Sequence, residues 1–459
     1  MANQPSETDS GPATEESDRY ASRVDEKLAK MGAALDNNEV LLEILHDKDI
    51  FEQELDRIFG QTWVYIGHES EIPEKGDYRR RYIGKDPFIF VRDENGDVQV
   101  LWDSCRHRGA TVCRAEKGNT THFRCAYHGW TYRNTGELIG VPQKGEGFPD
   151  LDPDQKGLHK APNVESYHGL VFAAIAPDVP DLEEFLGPAT WYLDLYFKFI
   201  DMEVIGDPHR WEVDTDWKTP AENFAGDNYH IPMGHKSAID VGIGSETAKG
   251  NKESDLYAIT GHNGHNFSIY QIPGEDFFWG HPPEIVETFN EDSLTDEQYE
   301  VARQSGVSLG TIFPNLSFIH LGGSNDPDKP PVGLLSLRQW QPVEPGKMEA
   351  WSWTLAPKDA PEEYKARVHE VGTGTFSPSG NFEVDDVGIW NGIPDSAESV
   401  FAEKVDATTV FSMGSGDGAV AEIDEGWPGP GTAYIEGGKT DVNQRDYYRQ
   451  WHETMSKEE

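Results

Sequence analysis

Four residues between positions 105 and 128 carry side chains that bind soft or borderline metals. They come as two pairs, Cys105-x-His107 and Cys125-x2-His128. Two thiolates and two imidazoles suit either zinc or an iron–sulfur centre. A further pair of imidazoles, His230 and His235, stands in "NFAGDNYHIPMGH", with Asn223 and Asp227 just upstream. Two histidines this close can share one metal ion, or they can be a core pair or a surface coincidence.

The surroundings of the first set separate its two readings. Gly109, Gly118 and Gly129 lie among the ligands. Glycine lets the backbone approach closely enough for N–H groups to face bridging sulfides, donors that a structural zinc does not need. A [2Fe–2S] cluster with two Cys on one iron and two His on the other is a Rieske centre. Neutral imidazoles in place of two thiolates remove negative charge and raise the potential. Each imidazole also keeps an outward N–H as an exit for an electron and a proton. Cys113 belongs to neither pair and reads as a small packing residue.

The elements that must hold these ligands are partly legible. Asp49 as N-cap, Glu52 at the third helical position and Gly60 as stop predict a helix over 50–59. From about residue 62 the chain reads as short strands. "PFIFV" and "VQVLW" flank an Asn95-Gly96 turn, "FRCAYHGWTY" and "ELIGV" flank "RNTG", and "HGLVFAAIA" is a further strand. "APDVPD" at 176–181 marks a boundary. Beyond it, "VGLLSLRQWQPV" and "KMEAWSWTLAP" predict neighbouring antiparallel strands, and "PEEYKARVHEV" a helix with Pro361 at its start. In "KTPAENFAGDNYHIPMGH", Thr219, Pro220 and Glu222 form a capping-box pattern that starts a helix at 220. Asn223, Asp227 and His230 then share a face, and Pro232 breaks the helix so that His235 can swing back. The fold class is α+β. A disordered acidic tail (1–20) and N-terminal helices belonging to the larger domain (21–61) precede a small all-β domain (62–180). A larger domain with an antiparallel sheet flanked by helices follows (181–459).

Composition sets the partners. Asp and Glu number 82 against 39 Lys and Arg, a formal charge of −43. That argues against nucleic acid and anionic membranes, which attract basic surfaces. The longest apolar run, 169–176, is far below the ~20 residues of a membrane span. The N-terminus has no apolar signal segment, so a soluble cytoplasmic protein is expected. The acidity reads either as an ordinary acidic enzyme or, preferably, as halophilic adaptation to high intracellular salt.

A carboxylate must complete a His230/His235 site if it holds iron. Two His and one carboxylate form the facial triad of non-haem Fe(II) oxygenases. Residue types alone do not select it among the 82 acids.

"CRHRG" at 105–109 and "CAYHGW" at 125–130 resemble the Rieske motif of the large (alpha) subunits of aromatic-ring-hydroxylating dioxygenases. "IFGQTWVYIGHESEIPEKGDY" at 58–78 resembles the approach to that domain. Ala126 stands where many members carry Pro. The resemblance, closest to the naphthalene, biphenyl and benzoate dioxygenases, covers most of residues 40–400. It implies that Cys105, His107, Cys125 and His128 hold the [2Fe–2S] cluster. It also implies a mononuclear Fe(II) on His230, His235 and the second Asp of "FSPSGNFEVDDVGIWN" (376–391), Asp386, with Asp385 as the alternative. Asp227 resembles the carboxylate that bridges His230 to a neighbouring subunit's Rieske histidine. Asn223 resembles a residue beside the iron. Phe224, Phe376 and Phe382 match pocket positions, although Phe376 and Phe382 also read as core.

The implied activity is cis-dihydroxylation of an aromatic compound with O2 as co-substrate. Electrons would come from an NAD(P)H-dependent reductase, with or without a ferredoxin. The implied assembly is a head-to-tail ring of three subunits, as a homotrimer or as an α3β3 particle with a small beta subunit. A monooxygenase or demethylase on the same scaffold uses the same ligands, and a Rieske electron carrier is the rival from another class.

Overall fold

The structure, a computed structural model, describes residues 12–241, 243, 254–326 and 328–457, with side chains from residue 22. Among these residues the sheet of the larger domain has nine strands, and every pairing in it is antiparallel. Its centre is formed by Ser305–Ile312, Leu316–Gly323, Val332–Glu344 and Lys347–Pro357. The last two are the neighbouring strands expected from sequence, joined at Pro345-Gly346. Met202–Val204 and Thr432–Tyr434 close the two ends.

One face of this sheet carries the helices Lys218–Gly226 and Glu362–Phe376. The other face, which presents Phe318, packs on Tyr192, Tyr196 and Trp279 in a second apolar core. Covering both faces explains why Ser305–Ile312 is buried at every position. No helix among the described residues is long and apolar enough to cross a membrane.

The smaller part is all β, as the sequence suggests. Asp86–Arg92 and Val98–Trp102 pair across Asn95-Gly96, and Gly96 has φ +97°, the conformation that favours glycine at this turn. Leu170–Ala174 pairs with both Asn163–Tyr167 and Val64–His68. The architecture is the α+β one inferred above.

Three expectations need correction. The helix predicted at 50–59 spans Lys48–Arg57, because Asp47 rather than Asp49 accepts the Ile50 N–H and caps it. The helix opening at Pro361 runs on to Phe376, with Pro361 itself as the cap residue. The stretch 1–20 is not a tail throughout: a helix covers Pro12–Asp36, and residues 1–11 lie outside the described residues. Val24, Leu28, Met31 and Leu35 form the buried stripe that holds it.

The N-terminal segment packs on the larger part of the chain. Glu39–Leu41 pairs with Thr408–Val410. Glu54 accepts from Lys218 Nζ at 2.6 Å, from Trp217 Nε1 at 2.9 Å and from Trp451 Nε1 at 2.8 Å.

Candidate active site

The two cysteine–histidine loops are built alike. Cys105 N–H donates to Ala110 O and Gly109 N–H to Cys105 O; Cys125 N–H donates to Trp130 O and Gly129 N–H to Cys125 O. Both glycines sit at positive φ, +73° and +76°. Each loop therefore turns its Cys inward by the same backbone device. Cys105 and Cys125 are buried, and His128 is exposed. Gly118 does not share this role. It lies in the strand Lys117–Asn119, where a Cβ would stand 2.8 Å from Tyr78 Oη.

The chemistry of these four donors fits a two-iron cluster better than zinc. A tetrahedral zinc with bonds of ~2.0–2.3 Å would hold all its donors within ~4 Å of one another. Among the described residues, only His230, His235 and Asp386 bring three such donors within 4.8 Å. Cys105, His107, Cys125 and His128 stand wider than that. His107 Nδ1 is a buried atom without a protein partner, as a ligand atom should be. Burial, then the charges of His128 and Arg108, lower the pKa of His107.

Tyr132 Oη lies 3.2 Å from Cys105 Sγ and accepts the Arg106 N–H, and Trp130 stacks on His107 at 4.9 Å. Neither was singled out from sequence, although Trp130 stands inside the quoted motif. Cys113 keeps its packing role: its thiol donates to Ala115 O, and burial pushes its pKa up to about 11.

The second site differs from its sequence reading in how it is built. The helix spans Lys218–Gly226, and the capping box does not form. Asp216 Oδ1 accepts the Lys218 N–H instead, and the Thr219 hydroxyl is buried without a partner. The helix also ends before Asp227. Gly226 has φ +149°, and a Cβ there would stand 2.5 Å from Ser268 Oγ and 2.7 Å from Asn443 Nδ2. Pro232 does not break a helix; it sits in the first turn of a new one, Ile231–Gly234. The break is therefore at Gly226. A turn through Asp227, whose Oδ1 accepts the N–H groups of Tyr229 and His230, redirects the chain.

This turn brings the expected residues together. His230 Nε2 and His235 Nε2 are 3.3 Å apart. Asp386 Oδ1 stands 3.6 Å from the first and 3.4 Å from the second. Adjacent ligands of one ion with bonds of ~2.1 Å sit ~3 Å apart, so the three donors suit a single metal. Asp385 faces the other side, with Oδ2 3.4 Å from His235 Nδ1. Asp227 Oδ2 is likewise 3.2 Å from His230 Nδ1. Each imidazole thus turns Nε2 to the metal position and Nδ1 to a carboxylate that fixes its orientation. Asn223 Nδ2 lies 3.4 Å from His230 Nδ1.

The electrostatics describe a site that calls for a cation. Burial pushes Asp386 up to about 7, against the opposing charge of His230. Burial, and then the charge of His230, lower His235 to about 4. For His230 burial acts downward, but the Asp227 carboxylate outweighs it and raises the pKa. Burial opposes ionisation of Asp227, yet the His230 imidazole and the two backbone donors hold it below the ordinary value.

A cavity of about 110 Å³ opens beside the three donors. Phe224, Phe376 and Phe382 all line it, as do Asn223 and Asp227. Sequence reading missed the opposite wall: Val307, Leu309, Ile319 and Leu321, with Tyr270. Val307 pairs with Leu321 and Leu309 with Ile319, so the four form one patch on the sheet.

The two segments that carry these residues each match a known family. Residues 62–168 match the family model of the Rieske [2Fe-2S] domain, and residues 184–436 that of the ring hydroxylating alpha subunit catalytic domain. The chain is 35% identical over 438 residues to the N,N-dimethyl phenylurea N-demethylase subunit alpha of Sphingobium sp. (strain YBL2), covering 93% of this chain and 94% of that protein. It is 35% identical over 363 residues to the biphenyl 2,3-dioxygenase subunit alpha of Rhodococcus jostii (strain RHA1), covering 76% and 75%. The solved structure of naphthalene 1,2-dioxygenase from Rhodococcus sp. bound to indole superposes with a TM-score of 0.86 at 39% identity, covering 94% and 97%. The cofactors are accordingly a Rieske [2Fe–2S] cluster and a mononuclear iron, with O2 as co-substrate. The chain belongs to the ring-hydroxylating alpha subunits, the oxygenases that combine a Rieske cluster with non-haem iron.

Proposed function

We propose that this chain is the oxygenase component of an aromatic-ring-hydroxylating dioxygenase that cis-dihydroxylates a small arene. Electrons come from NAD(P)H through a reductase, with or without a ferredoxin. The observation that carries this reading is the apolar cavity set against His230, His235 and Asp386. Its volume of about 110 Å³ is near that of an engineered apolar cavity of ~150 Å³ that admits benzene. A substrate with one aromatic ring fits it best.

When bound, the cluster would supply electrons one at a time and the mononuclear iron would supply the chemistry of O2 reduction. The chain's own residues do the rest. Cys105, His107, Cys125 and His128 hold the cluster, and His230, His235 and Asp386 hold the iron. Phe224, Phe376 and Phe382 pack the ring against the sheet patch and keep water from it. Asp385 fixes the tautomer of His235 through Nδ1. Asp227 does the same for His230. Its partly exposed carboxylate can also accept the N–H of a Rieske histidine across a subunit boundary in a trimeric ring. Asn223 supports His230 from the cavity side.

A second reading, an N-demethylase on the same scaffold, is favoured by the relative that matches nearly the whole chain. Turnover with 18O2 separates the two on any arene the enzyme accepts. The dioxygenase reading expects both atoms of one O2 in a cis-diol. A single labelled oxygen, or formaldehyde released from an N-methyl substrate, would establish the second reading instead.

The acidity belongs to the same proposal as an adaptation to salt. Residues 62–168 carry fifteen Lys and Arg against sixteen Asp and Glu, so the acidic excess lies outside the Rieske domain. Screening at molar KCl, where the Debye length falls to ~3 Å, relieves repulsion among those carboxylates. The unfolding midpoint is expected to rise as KCl goes from low to molar concentration. A flat or falling midpoint by calorimetry would leave an ordinary acidic enzyme.

A further inference from the structure

Behind the iron site lies an ion pair that the mechanism above does not use. Arg338 and Glu383 are both buried, with Nη2 2.6 Å from Oε2. Arg338 rises from the strand Val332–Glu344 on the sheet face that also presents Trp340. Its guanidinium lies among four rings: 5.0 Å from Trp340, 5.4 Å from Trp211, and 5.7 Å from both Phe224 and Phe376. Its Nη1 donates to Phe376 O at 3.4 Å. Phe224 and Phe376 are walls of the cavity.

Glu383 opens the helix Glu383–Trp390, and Asp386 follows one turn later. That helix has no side-chain cap at its start. Its first turn also collects three carboxylates, Glu383, Asp385 and Asp386. The Arg338 fork therefore supplies both the missing tether and a nearby positive charge.

Stability alone does not explain this pair. Desolvating two charges costs about as much as their attraction returns, and an apolar replacement of similar volume is often neutral. Arg338 Nε and Glu383 Oε1 also lack partners among the described residues, which is poor design for a purely structural pair. A guanidinium fork does fix direction, and this one joins the sheet, two cavity walls and the helix of Asp386 at one point.

We infer that Arg338 and Glu383 are positioning residues of the iron site, holding Asp386 in line with His230 and His235 and the Phe224/Phe376 wall against them. The inference rests on the reading of Asp386 as an iron ligand. The double variant Arg338→Met/Glu383→Leu removes both charges at similar volume, and Asp386→Ala serves as the reference. The holoenzymes are compared by iron per acid-labile sulfide during chelator challenge, by thermal midpoint, and by the visible bands of the cobalt-substituted mononuclear site.

The double variant is expected to keep a full cluster and the parent's midpoint, to release mononuclear iron at least tenfold faster, and to show shifted cobalt bands. Release and bands equal to the parent's, with Asp386→Ala losing iron, overturn the inference alone. Iron held by Asp386→Ala as tightly as by the parent overturns the ligand reading beneath it. Cluster and iron lost in parallel from the double variant also overturn the inference, because the pair would then be a determinant of folding.

Discussion

Cys105→Ser or His107→Ala is expected to abolish the visible absorption of the cluster and all reductant-coupled turnover. Each of the two loops delivers one thiolate and one imidazole through its own set of backbone hydrogen bonds. A lost ligand therefore has no neighbour able to replace it. Cys113 is the nearest other thiol in sequence, but it is buried and committed to Ala115 O. Cys113→Ser should leave the absorption intact. Iron and sulfide analysis of the three variants checks the assignment. Zinc without acid-labile sulfide in the parent protein would overturn it.

The fold was legible where local chemistry decides it. Asn95-Gly96 forces a tight turn, and the strands around it follow. The two apolar stretches 332–343 and 347–357, separated by Pro345-Gly346, form the expected hairpin. Helix ends were less legible, because several residues can cap and tertiary contacts choose among them. Asp47 and Asp49 are both good caps; Asp47 meets Lys27 and Asp49 meets Arg23, and it is Asp47 that accepts the Ile50 N–H. At Thr219 the motif for a capping box is complete. Even so, Lys218 is drawn inward by Glu54 and Asp216, and the helix starts two residues early.

The site was legible in its ligands and opaque in its walls. Cys and His at fixed spacing are rare enough to stand out, and their donors converge as expected at 230 and 235. The carboxylate was beyond reach of spacing alone, because Asp386 lies far along the chain and reaches the site only through the packing of its helix. Geometry separates it from Asp385: one faces Nε2 of both histidines, the other faces Nδ1 of His235. Val307, Leu309, Ile319 and Leu321 carried no signal. Their strands are buried on both faces, so the residues lining the cavity look no different from those packing the far core.

Asp386→Ala and Asp227→Ala are expected to fail in opposite ways. Asp386→Ala removes a donor that lies within 3.6 Å of both imidazoles, so the mononuclear iron should leave while the cluster stays filled and reducible. On the His230 ring, Asp227 meets the far nitrogen, Nδ1, and not the one facing the metal position, so its loss should leave both centres largely filled. Product formation should still fall by about 100-fold, the upper end of effects from partners behind a ligand, because the hydrogen-bonded route between centres is cut. One contact complicates the alanine variant. Asp227 Oδ1 also accepts the N–H groups of Tyr229 and His230, so alanine loosens the turn that carries the ligand. Asp227→Asn keeps an oxygen for those donors and replaces the oxygen facing His230 Nδ1 by an –NH2 group, which donates and cannot accept an imidazole N–H. If the carboxylate carries the electron between subunits, the asparagine variant should hold iron as the parent does and lose activity as the alanine variant does. Iron lost in proportion to activity in both variants would make Asp227 a support for His230. Turnover of the asparagine variant near the parent rate would remove the bridge altogether. Iron counts and single-turnover reduction of the three variants, side by side, decide which carboxylate holds metal and which passes the electron.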